Sequence, residues 1–158
     1  MARFDTLCYI IDDKKLLMLK KSVGLFGGGK WNGLGGKISV GESPKQACIR
    51  EVYEESGLNV ENLKYHGALK FWFGNTTNEP IIVYVFSTKS FEGQLKESPE
   101  GILKWIDFDR VPYKDMWEDD QYWLPILMKE ENFDGEFHFN QEGTKLLNYK
   151  LRSSSHEE

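Results

Sequence analysis

Residues 35–58, GGKISVGESPKQACIREVYEESGL, constrain this chain more than any other segment. Ser43 is placed to cap a helix that starts at Pro44, and Gln46 stands at the reciprocal position of a capping box. Gly57 is a natural stop for that helix. Within it Glu51, Glu54 and Glu55 lie three and four residues apart and so share one face. Carboxylates stacked in this way repel, each like-charge pair costing roughly 0.2–0.5 kcal/mol even when exposed. A divalent cation removes that penalty and turns the face into a site, and ligands made only of oxygen favour Mg²⁺ or Mn²⁺ over zinc. A charged helix end standing alone reads equally well as a solvated face. What separates the two readings is the full set of spacings.

Those spacings run Gly36, five residues, Glu42, seven residues, Arg50-Glu51, apolar Val52, any residue, Glu54-Glu55, any residue, Gly57 and apolar Leu58. The pattern resembles the signature of the Nudix hydrolase family, with every specified position in agreement. The resemblance implies hydrolysis of a nucleoside diphosphate linked to some further moiety. It also implies an α/β fold of a specific form, an α/β/α sandwich with a mixed sheet.

Composition narrows the partners. At 158 residues the chain reads as one domain, expected over residues 1–152, with a polar tail at 153–158 expected to be disordered. A net charge of -5 leaves no electrostatic footprint for gripping a nucleic-acid polymer. An acidic protein that binds a polyphosphate needs local cations or metal. Cys8 and Cys48 fall in apolar surroundings and read as packed thiols, and His66, His138 and His156 show no metal-ligand spacing. No run is apolar for long enough to span a bilayer, and the first residues lack a signal-peptide pattern, so a cytosolic monomer is expected.

Short apolar runs at 4–11 and 15–20 flank Asp12-Asp13 and read as a hairpin. Residues 22–30 form a glycine-rich loop without the Walker spacing, so its glycines are ascribed to flexibility. Further strands are expected at 63–73, 81–87 and 102–106, and a last hairpin at 133–139 and 145–151. A helix is expected over 122–131, capped by Asp119 or Asp120, with Pro125 late in its first turn.

Three features outside the signature bear on substrate. WNGLGGK (31–37) runs into the signature, ESPEGILKW (97–105) places Glu97 and Glu100 before a strand, and KDMWEDDQYW (114–123) sets a tryptophan beside two aspartates. The last also reads as a surface turn with a helix cap. Yet Trp117 offers a face for stacking, and two adjacent carboxyls in an apolar pocket do not both ionise readily, so one can stay neutral as a donor. Together with FDGEFHF and LLNYKLR, these segments resemble the branch of the family that hydrolyses oxidised purine nucleoside triphosphates, the 8-oxo-dGTP diphosphatases.

That resemblance implies a set of roles. Asn32, Asp119 and Asp120 read the purine edge, Trp117 stacks on the base, and Glu118 adjoins it. Thr6 and Lys20 line the substrate, and the backbone of Leu34, Gly35, Gly36 and Lys37 borders the nucleotide. Metal is held by the Gly36 carbonyl, Glu51, Glu54, Glu55 and Glu100. Glu55 is the first choice to orient or deprotonate the attacking water, and Arg50 holds a glutamate in place. The chain departs from the branch in three places: a longer loop between Lys21 and Trp31, Leu34 in place of an aromatic, and Glu118 in place of a proline, which adds negative charge beside the base. The alternatives are a Nudix pyrophosphatase acting on another nucleotide and a non-catalytic nucleotide-binding module.

Overall fold

A computed structural model describes residues 3–26, 28–74, 79–96 and 98–154. Its layering follows from one strand. In β1 (Arg3–Asp12), Cys8 and Ile10 face one way, Tyr9 and Ile11 the other, and all four are buried. A strand that is apolar on both faces needs cover on both. On one side α1 (Pro44–Ser56) packs Cys48 and Val52 into a core with Cys8, Ile10 and Leu34. On the other, α2 (Asp120–Met128) packs Trp123, Leu124 and Leu127 into a core with Tyr9 and Ile11. The expected α/β/α sandwich is the result.

The sheet between the helices is mixed. β1 lies parallel to β7 (Ile81–Thr88), which is antiparallel to β6 (Lys64–Phe73). β6 is parallel to β10 (Phe133–Phe139), and β10 is antiparallel to the edge strand β11 (Leu146–Ser153). On its other side β1 divides between two partners. Residues 5–8 pair with β4 (Leu34–Lys37), while Ile11 and Asp12 pair with β2 (Lys15–Lys21) through a tight turn at Asp13 and Lys14, both at positive φ (46° and 61°). β2 then pairs with β9 (Gly101–Asp107) and with the two-residue β3 (Trp31–Asn32). This division sets Gly35 and Gly36 directly beside Leu7 and Thr6. A small ribbon of β5 (Asn59–Glu61) and β8 (Ser90–Glu92) follows α1.

The signature helix has the caps its sequence requires. The Ser43 side chain accepts from Gln46 N–H, the Gln46 side chain accepts from Ser43 N–H, and Gly57 closes the helix at φ 81°. The longer strands expected from apolar runs are all present, whereas β3, β4, β5 and β8 were not expected.

Two expectations need correction. α2 runs Asp120–Met128, two residues early at its start and three at its end, so Pro125 lies in its second turn; Asp119 is its N-cap residue as expected, without a side-chain cap bond. The last strand also extends past residue 152. β11 runs through Ser153, and Ser154 bonds Asn132 twice, N–H to carbonyl and Oγ from N–H, both at 2.9 Å. Cys8 and Cys48 are buried free thiols. Among the described residues no helix is long and apolar enough to cross a membrane.

Candidate active site

The exposed face of α1 is organised by Arg50. Its guanidinium grips Glu42 with both arms, Nε at 2.7 Å and Nη2 at 2.8 Å, while Nη1 donates to Glu51 at 2.9 Å and to Glu54 at 3.0 Å. Nη2 also donates to the Lys37 carbonyl at 3.2 Å. A planar, permanently charged fork suits this bidentate geometry. It holds the Glu42 carboxyl down at about 2. The helix carboxylates are therefore not unbalanced, as their sequence suggests: Arg50 offsets Glu51 and Glu54 and orients them.

Glu55 turns inward and is 3% exposed. One oxygen accepts from Gly35 N–H at 2.7 Å. Burial, then a hydrogen bond shared with the Glu100 carboxyl, raises its pKa to about 9. Burial also raises Glu51. Gly36 abuts this group closely, since a Cβ there would stand 2.7 Å from the Glu51 carboxylate carbon. Among the described residues no three His, Cys, Asp or Glu side chains converge into a finished ligand cluster. The donors nevertheless fit a hard divalent cation, because all are oxygens. Moreover, a buried carboxyl that keeps its proton beside a second carboxyl is a position where a cation can replace that proton.

A second group gathers on the α2 side. Trp117 is half-buried, with Phe73 and Phe139 edge-on at 5.9 Å, Phe26 tilted at 5.4 Å, and the Lys30 ammonium 5.4 Å from its ring centroid. Asp119 and Asp120 are buried beside it. Asp119 accepts from the Trp123 indole N–H at 2.7 Å, so its carboxylate turns to α2's second turn rather than to a cap bond. Among the described residues the Oδ2 of Asp120 and the Oγ1 of Thr6 are buried without a hydrogen-bond partner. Burial raises Asp119 to about 6; burial and then the Asp119 charge raise Asp120 well above the carboxylate range. Two adjacent buried carboxyls do not both ionise readily, so the pair favours holding one proton between them.

The two groups meet at one cleft of about 190 Å³, which Glu55 reaches from the first, while Arg50, Glu51, Glu54 and Glu100 lie outside its lining. Thr6, Asn32, Gly35, Gly36 and Glu55 line it, as do Trp117, Asp119 and Asp120. Asn32 uses its Oδ1 to accept from Gly33 N–H at 2.9 Å. Several expected residues stand elsewhere. Lys20 is exposed and does not line the cleft, whereas its neighbour Lys21 does. The Leu34 side chain is fully buried in the α1-side core, and Lys37 is exposed with its carbonyl turned to Arg50. Glu118 is exposed and does not line the cleft, and its carboxylate accepts from Leu146 N–H on β11. Glu97 lies outside the described residues.

Sequence reasoning missed Phe26, Lys30, Phe71, Phe73 and Phe139, all of which line the cleft. The i, i+2 spacing of Phe71 and Phe73 and of Phe137 and Phe139 marks one sheet face, but not which partner faces it. The loop glycines also do more than loosen the chain. Gly24 and Gly29 hold φ of 101° and 82°, and Gly29 N–H donates to the Lys21 carbonyl at 2.8 Å, so they build turns that carry Phe26 onto Trp117.

Comparison with known proteins places this geometry. A model of the NUDIX domain matches residues 1–127. The chain is 38% identical over 151 residues to the oxidized purine nucleoside triphosphate hydrolase of Mus musculus, covering 96% of this chain and 95% of that one. It is 41% identical over 146 residues to the protein of the same description from Danio rerio, covering 92% of each. The MutT protein from Bacillus halodurans superimposes with a TM-score of 0.85 at 28% identity, covering 94% of this chain and 97% of that one.

Proposed function

The chain belongs to the NUDIX family, and we propose that it acts as a single hydrolase domain that cleaves oxidised purine nucleoside triphosphates, of the 8-oxo-dGTP kind, to the monophosphate and pyrophosphate. One observation carries this reading. The cleft is walled both by Gly35, Gly36 and Glu55 from the signature and by Trp117, Asp119 and Asp120.

The aspartate wall suits an oxidised base. Guanine presents only acceptors, O6 and N7, along its major-groove edge. Oxidation at C8 turns N7 into an N–H donor. Asp120, which keeps its proton, donates to O6, while ionised Asp119 accepts from N7–H. A site built around a particular donor rejects the analogue that lacks it, because its own acceptor is left unpaired. Trp117 supplies the stacking face, worth roughly 1–3 kcal/mol per base. Thr6 Oγ1 and Asn32 bring further polar contact from the sheet.

The Gly36 carbonyl, Glu51, Glu54, Glu55 and Glu100 would hold Mg²⁺, with Mn²⁺ as a substitute. The ion supplies charge neutralisation at the phosphate oxygens and water activation. Once the cation takes the place of its own proton, Glu55, steadied by Gly35 N–H, would be the ionised carboxylate that receives the proton of the attacking water. Arg50 positions Glu51 and Glu54 and leaves the phosphates to other groups. Pyrophosphate release from 8-oxo-dGTP and from dGTP, measured with and without Mg²⁺, tests the proposal. Mg²⁺-dependent release with higher kcat/KM on the oxidised nucleotide is expected. Equal or reversed preference would leave only a broader NUDIX specificity.

A further inference from the structure

Lys30 occupies a position that the roles above do not use. It ends the loop between β2 and β3, and its carbonyl accepts from Lys21 N–H at 3.0 Å, which pins its backbone. From there its ammonium reaches within 5.4 Å of the Trp117 centroid. It also lines the cleft with Asp119 and Asp120. Among the described residues it makes no ion pair within 4.0 Å, so neither the indole nor the aspartates share it with a closer carboxylate.

Four ionisable side chains face Asp120. They are Asp119 beside it, Lys30 from the loop, Tyr9 from β1, and Tyr113 from the turn before α2. Of these Lys30 alone carries positive charge. A cation over an indole face is attracted by the ring quadrupole, more strongly where water is partly excluded. The same charge eases the burial of negative charge on the neighbouring aspartates.

Resting on the reading of this cleft as a purine site, we propose that Lys30 is a positioning residue for base recognition: its ammonium steadies the Trp117 indole and supplies the positive charge that the buried aspartate pair faces. Burial and Asp119 push the Asp120 carboxyl up, and Lys30 draws it back. Without Lys30 the pair holds its protons more tightly, so the pH window for binding the oxidised base moves to higher pH.

The test compares Lys30→Met, which keeps length, and Lys30→Arg, which keeps charge, with the wild type on 8-oxo-dGTP and dGTP across pH. Lys30→Gln replaces the methionine variant if that one does not fold. The expected result for Lys30→Met is an about tenfold higher KM on 8-oxo-dGTP with kcat held within about twofold. Its kcat/KM profile should move up by about half a pH unit or more, and Lys30→Arg should restore both. A profile that superimposes on the wild type, or an equal KM rise on both nucleotides without a pH shift, overturns the role of Lys30 alone. A wild type that shows no preference for the oxidised base overturns the reading of the cleft on which it rests.

Discussion

On the carboxylate wall, which meets the cleft through Gly35, Gly36 and Glu55, every proposed group except Glu100 comes from β4 and α1, which adjoin in sequence. The aromatic wall is drawn from distant segments: Phe26 from a loop, Phe73 from β6, Trp117 and the aspartates from the entry to α2, and Phe139 from β10. The first wall is set by local chemistry, namely a capping box, a helical repeat and one arginine that holds three glutamates. The second exists only once the sheet is ordered. Parallel pairing of β6 with β10 brings Phe73 opposite Phe139, stacked at 5.4 Å, before either can meet Trp117. Changes on the carboxylate wall should therefore alter rate and spare the fold. Changes on the aromatic wall should alter both recognition and stability.

The largest expected effect breaks the carboxylate wall. Glu54→Gln and Glu55→Gln keep shape and lose charge, and each should lower kcat by at least about a hundredfold, or roughly 3 kcal/mol of barrier. Thermal melting should stay near that of the wild type for Glu54→Gln, which is exposed. Near-normal Mg²⁺-dependent turnover in both would remove α1 from the proposed metal site.

Next in size, Trp117→Ala should raise KM by the 1–3 kcal/mol typical of a base stack, roughly five- to 150-fold. It should also melt at a lower temperature, because Trp117 touches Phe26, Phe73 and Phe139 as well as the cleft. A lower melting temperature with unchanged KM would make Trp117 a core residue only.

The aspartate pair sharpens the comparison through pH. Asp119 titrates at about 6 in the folded protein, against 3.8 for an ordinary aspartate. An acid whose pKa is raised by folding binds its proton more tightly in the folded state, so it favours the fold below that range. That contribution is lost as pH rises through about 6. Asp119→Asn should therefore melt higher than the wild type above that pH while losing its preference for 8-oxo-dGTP. A variant that melts lower at every pH would contradict the burial argument.

The smallest effect belongs to the cap. Ser43→Ala removes one half of the capping box and should cost about 1 kcal/mol of stability, read by denaturant unfolding, with kcat/KM unchanged.

How much of this was legible beforehand follows the same division. The α1 caps, the shared face of Glu51, Glu54 and Glu55, and the longer strands could be read because each depends on residues a few positions apart. The inward turn of Glu55 could not, because it rests on Gly35 N–H and Glu100 from other elements. Glu118 misled for the opposite reason. Beside Trp117 in sequence, it lies outside the cleft lining and directs its carboxylate to β11. Phe26 and Lys30 were hidden in a loop whose glycines, taken alone, read as slack.

The most direct test of a site whose hydrolytic and base-reading groups are separable is one crossed measurement: kcat/KM of wild type, Glu54→Gln and Asp119→Asn, each on 8-oxo-dGTP and dGTP with Mg²⁺. Glu54→Gln should lower both values by the same factor and leave their ratio intact. Asp119→Asn, which removes the ionised acceptor for N7–H, should collapse the ratio while its residual turnover stays Mg²⁺-dependent. If Asp119→Asn instead lowers both nucleotides equally, or Glu54→Gln changes the ratio, the division between groups that read the base and groups that serve hydrolysis is wrong.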